Sequence, residues 1–282
     1  MRNKKMGKLS KTWTLLKVSW EVLKKDKEMV IFPLAGTVFW FLFIVGLTVP
    51  FAVWSPEGAI NEDTPGFYVY LFLFLFTTYF LMTVANAALI ACAIKRMAGG
   101  DPTVGDGFRA AFSRLHVIMG WSLLSATLGV LLKVLEKRFK GVGSLIADII
   151  GGTWGVVSYL VVPVMVMENK GPIEALKRSA VLLKQTWGEQ FIGDFSFALA
   201  YLASLIPAII ILVPAFIFGD PRISIILLST AAAVVLGLWL VLSVLQSIFQ
   251  SALYRYAFDR NPGEGFGGEL LGNCFIPPKG PE

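Results

Sequence analysis

Side chains able to do chemistry are few in this chain. His116 is its single histidine, so a two-histidine metal site, an HExxH helix or a His–His proton relay is excluded. A Ser–His–Asp arrangement would need a nucleophile elbow, and no GxSxG is present. Gly263–Gly268 reads GEGFGG, which is neither a phosphate-cradling P-loop nor a dinucleotide fingerprint. Cys92 lies in an apolar run and Cys274 in the C-terminal segment, with no CxxC spacing for zinc or redox work. These absences predict no catalytic residues, no metal, no cofactor and no enzyme.

The remaining candidates are polar groups embedded in apolar sequence. Asn86 is the most polar residue of a long uncharged run, and Gln246, Gln250 and Tyr254 recur at i, i+4 and i+8, on one helical face. Together with Asp194 and His116 they could line a cavity open to the cytoplasm, or they could tie helices together by hydrogen bonds. Ionisable groups inside a bilayer are costly and point to function by default. Asp148 has a cheaper explanation, an interfacial ion pair with Lys133, while Asp194 lies near a span start where water reaches it.

Long apolar runs must position these residues. Ile31–Trp54 is 24 residues without a charge, and as a helix it covers roughly 36 Å, more than the ~30 Å of bilayer hydrocarbon. Five more such segments follow, giving spans near 31–54, 67–94, 115–132, 145–167, 191–218 and 223–254. Pro207 and Pro214 are expected to kink the fifth. Span six, about 48 Å if helical, must tilt or project. The chain is 56% hydrophobic and only 16% charged over 282 residues, with a mean hydropathy of +0.69. The expected fold is therefore all-α, a polytopic membrane bundle in one domain over 1–258, followed by a flexible Gly/Pro-rich tail over 259–282.

Charge follows the spans rather than a soluble surface. The net +6 comes without a basic, aromatic-interleaved soluble domain, so no nucleic-acid partner is expected. Counted over the connecting segments, twenty of the 25 Lys and Arg fall on the side of the two termini. That bias predicts a cell-membrane protein with cytoplasmic N- and C-termini, against which only the basic turn at 133–140 speaks. The first apolar run is too long for a signal-peptide core and is expected to be retained.

Three amphipathic stripes precede the hairpins. Leu9, Trp13, Leu16, Trp20 and Leu23 lie on one face of a helix over 8–29, flanked by Lys8, Lys11, Lys17, Lys24 and Lys25. Such a helix lies in the headgroup plane against anionic lipid, or packs on the protein itself. Phe108, Phe112, Leu115 and Met119 form a second stripe; Ile173, Leu176, Ala180, Leu183 and Trp187 form a third. Similar punctuation follows each hairpin, KRMAGGDP, MENKGP and RYAFDRNP, and together these suggest a threefold repeat of interfacial helix plus hairpin. Gly151xxxGly155 and Ala233xxxGly237 permit close helix crossing.

SWEVLKKDKEMVIFPL (19–34), GPIEALKRSAVLLKQTWGE (171–189) and ALYRYA (252–257) resemble a family of prokaryotic six-span membrane proteins, domain of unknown function 6159. The resemblance spans nearly the whole chain. It implies a membrane fold and no known chemistry, and it carries over no functional residue. The reading that follows is a non-enzymatic structural or regulatory protein acting on membrane lipids, anionic headgroups included, or on a membrane-protein partner. A small permease or channel is the alternative, and a lipid-processing enzyme comes third.

Overall fold

The computed structural model describes residues 8–54, 64–139, 142–187, 197–218, 221–261, 263 and 266. All secondary structure among them is helical. The order is α1 (Lys8–Lys25), a 3₁₀ turn (Lys27–Val30), α2 (Ile31–Trp54), α3 (Pro65–Met97), α4 (Val104–Ser113), α5 (Leu115–Arg138) and α6 (Val142–Val157). It continues with α7 (Val161–Glu168), α8 (Pro172–Trp187), α9 (Ala198–Ala203), α10 (Ile206–Phe218) and α11 (Pro221–Asp259). Five stretches are long and apolar enough to cross a membrane: Lys27–Pro50, Pro65–Met97, Leu115–Arg138, Val142–Glu168 and Pro221–Asp259. Ala200–Pro214 is a shorter apolar helix. In hydrocarbon a helix is the one open-chain structure that satisfies its own backbone, which is why uncharged runs of this length fold so.

Burial is concentrated towards one end of the long helices. The core holds Phe32 at the start of α2, Ala87 to Met97 at the end of α3 and Val117 to Trp121 at the start of α5. It also holds α7 and Val244 to Tyr254 at the end of α11. The opposite halves expose Phe43, Val49, Leu145, Ile149, Ile225 and Leu228. At the packed end, α3, α7 and α11 touch one another pairwise. Around this triad α4 packs on α3, α8 packs on α7, and α1 packs on α11. The first and last long elements of the chain thereby meet.

Close contacts at the packed end are made by small residues. A Cβ on Gly36 of α2 would sit 2.8 Å from Ala85 Cβ, and one on Gly107 of α4 would meet Phe32 at 2.5 Å and Cys92 Sγ at 2.8 Å. Both positions need hydrogen where other residues carry carbon. The Phe32 and Phe108 rings then meet edge to face at 5.2 Å.

Three expectations are corrected here, and on α1 one of two alternatives is removed. The buried face of α1 is Leu15, Ser19, Val22 and Leu23, and Trp13 and Trp20 are exposed; the tryptophan stripe is not the packing face. Helix α5 does not stop at 132 with a basic turn. It continues to Arg138, because Lys133 pairs with Glu136 at 3.7 Å and basic residues suit a helix C-terminus. Span four is two helices, α6 and α7, separated at 158–160. Pro163 has no N–H to offer the Tyr159 carbonyl four residues back, so the ladder opens there. Finally, the segment after Asp259 is not wholly a free tail: Phe266 is buried against Phe249, ring centroids 6.4 Å apart.

Candidate functional site

The break between α6 and α7 leaves buried backbone groups without helical partners. Two side chains from neighbouring helices take them up. Ser179 of α8 donates its hydroxyl to the Val157 carbonyl at 2.6 Å and accepts from the Leu160 N–H at 3.1 Å. Gln250 of α11 donates its amide to the Tyr159 carbonyl, the one Pro163 leaves without a helical partner. The other end of Gln250 accepts from Asn86 Nδ2 at 3.5 Å, and Asn86 Oδ1 accepts from Ser247 at 2.8 Å. Gln250 and Ser179 are both buried. The result is one chain of hydrogen bonds through α3, α11, the break and α8.

A second break lies between α9 and α10, alongside α11. Helix α9 ends at Ala203 and α10 starts at Ile206, one residue before Pro207. Trp239 donates its indole N–H to Ser204 Oγ at 3.0 Å, and Tyr201 donates its hydroxyl to Gln246 Oε1 at 3.1 Å. One face of α11 thus carries Trp239, Gln246 and Gln250 to both interruptions.

Where the helices leave the packed end, charges are paired. Glu168 accepts from Lys170 at 2.6 Å, from Arg178 at 3.2 Å and from Tyr254 at 3.3 Å. Arg178 also lies over the Phe258 ring at 5.9 Å. Arg96 donates to Asp26 at 3.3 Å and to Asp101. Lys95 donates to Asp106 at 2.9 Å, and Asp106 shares a reciprocal cap with Thr103. The Lys95 ammonium, with the Thr103 N–H and hydroxyl, holds the Asp106 carboxyl down at about 2.

Of the expected cavity set, Asn86 and Gln250 touch each other, Gln246 reaches Tyr201 and Tyr254 reaches Glu168. His116 is exposed at the start of α5, and Asp194 lies outside the described residues. Lys133 pairs with Glu136 on its own helix, while Asp148 is exposed on α6. Among the described residues no group of three or more His, Cys, Asp and Glu could hold a metal. Sequence reasoning missed Ser179, Arg96 and Glu168 as organising residues. Pro163 was the signal for the break that Ser179 answers, since a proline inside an apolar run opens the helical ladder.

A model of a family described as a family of unknown function (DUF6159) matches residues 66–266. Among curated proteins none matches the chain.

Proposed function

We propose for this chain, which belongs to the family of unknown function DUF6159, a non-enzymatic role as a membrane scaffold that organises lipid or a membrane-protein partner. One observation carries the reading. The polar residues that would line a transport cavity are tied to one another and to backbone, Asn86 and Gln250 above all. Groups committed in this way fasten helices; they are not left to bind and release a solute.

The scaffold is three units, each an interfacial helix followed by a two-span hairpin, six spans in all. Three parallels support it. Leu16-Lys17-x-Ser19, Phe108-Arg109-x-Ala111 and Leu176-Lys177-x-Ser179 share a pattern, and Ser19, Ala111 and Ser179 are each fully buried. The second helix of each hairpin ends in a left-handed residue: Gly99, Asn169 and Arg260. Counting back thirteen residues from these gives Asn86, Val156 and Ser247; counting back ten gives Leu89, Tyr159 and Gln250. The central tie is therefore made at matching levels of the three units. The Lys and Arg distribution puts both termini on the cytoplasmic side of the cell membrane.

A permease is the second reading, favoured by the interruptions at 158–160 and 204–205, since broken helices near the midplane form transporter sites. Reconstitution separates the two. The scaffold predicts that Gln250→Leu and Asn86→Leu each lower resistance to unfolding by about 0.5–2 kcal/mol, with no solute flux in any form of the protein. Flux through the parent chain that Asn86→Leu abolishes, with folding retained, sinks the scaffold reading.

A further inference from the structure

Helices α1, α4 and α8 each turn one face into the protein and leave another uncovered. On α1 the uncovered row is Trp13, Lys17, Trp20 and Lys24; on α8 it is Ile173, Lys177, Val181 and Lys184. Apolar and basic residues alternate in both at nearly the same spacing. The row from α4 into α5 continues the pattern with Arg109, Phe112 and His116. Trp13 is 71% exposed, Phe112 59% and Ile173 60%. A continuous row of large apolar side chains this open, unlike a single one, marks an interaction surface.

We infer that these three rows dock on the anionic headgroup layer of the bilayer that the protein spans. This rests on the membrane reading above and names the lipid class and the residues that meet it. Two observations select the occupant. Lys17, Arg109, Lys177 and Lys184 are exposed, and they match negatively charged lipid; Lys24 is shared with Glu21 at 2.8 Å. The connectors also leave no choice of depth. Only Asp26 and one 3₁₀ turn separate α1 from α2, Arg114 alone separates α4 from α5, and 169–171 separate α7 from α8. At no more than about 3.5 Å per residue, the near end of each helix that carries a row lies within roughly 15 Å of an apolar helix. In a bilayer that distance is the headgroup zone, where indole and lysine side chains both find favourable surroundings.

The test uses the full chain in nanodiscs of phosphatidylcholine with and without phosphatidylglycerol. Nitroxides are placed by Trp13→Cys, Phe112→Cys and Val181→Cys in a Cys274→Ala background. Cys92 is buried and stays unlabelled. All three labels are expected at headgroup depth, accessible to oxygen and shielded from an aqueous nickel chelate. Lys17→Gln and Lys177→Gln are each expected to lower the retention of phosphatidylglycerol over phosphatidylcholine about fivefold. Labels open to the nickel chelate, or an unchanged lipid preference in the double variant, overturn the proposal. So does shielding that occurs in native membranes and not in nanodiscs, which would make the occupant a protein. The two failures stay apart: a chain that needs no detergent or lipid sinks the membrane reading, whereas a reconstituted chain with water-exposed labels sinks the docking rows alone.

Discussion

At the scale of single residues, the side chains that matter are those that answer a backbone or a charge left over by something else. Gln250 answers the carbonyl that Pro163 cannot bond, and Ser179 answers two groups at the same break. Asp106 answers Lys95 and the Thr103 N–H, which depresses its carboxyl to about 2 from an ordinary 3.8. A depressed folded-state pKa means that the stabilisation is complete above 3.8 and is lost as pH falls through about 2. Hydrogen exchange across 104–107 should accelerate relative to its intrinsic rate in that window. Asp106→Asn should remove the acid dependence while leaving the Thr103 hydroxyl cap in place. Exchange protection that is flat from pH 4 to pH 2 in the parent chain would count against this role for Asp106.

At the scale of helices, the joints are set by what the neighbouring element leaves room for. Helix α4 lies against Phe32 and Cys92 because residue 107 has no side chain. Gly107→Ala should destabilise the protein by about 1–3 kcal/mol, since the intruding methyl meets a ring and a sulfur in a packed core. A thermal or denaturant midpoint unchanged in Gly107→Ala would mean that α4 shifts freely. The span positions were largely legible in the sequence, because an uncharged run of twenty or more residues has few alternatives to a helix. The orienting faces were not. On α1, hydrophobicity selected Trp13 and Trp20, yet Leu15, Ser19 and Val22 turn inward. A helix that meets protein on one side and lipid on another carries two apolar rows, and periodicity does not say which faces which. Asn86 and Gln250 were recognisable as polar outliers, but their shared partner, the Tyr159 carbonyl, became visible only with the break.

At the scale of the whole molecule, packing is concentrated where α3, α7 and α11 converge and α1, α4 and α8 surround them. The far halves of the long helices contribute little to the core, so stability resides at one end. Fluorescent or protease-sensitive tags at the two termini should report the same, cytoplasmic side in intact cells. Tags on opposite sides would remove the six-span arrangement and with it the threefold reading. The contact between α1 and α11 has a further implication for synthesis. Leu15, Val22 and Leu23 leave the ribosome more than two hundred residues before α11 is complete. At ordinary elongation rates the delay is on the order of tens of seconds. During that interval α1 waits without the helix it packs on, and the packed end stays open until α11 arrives to close it.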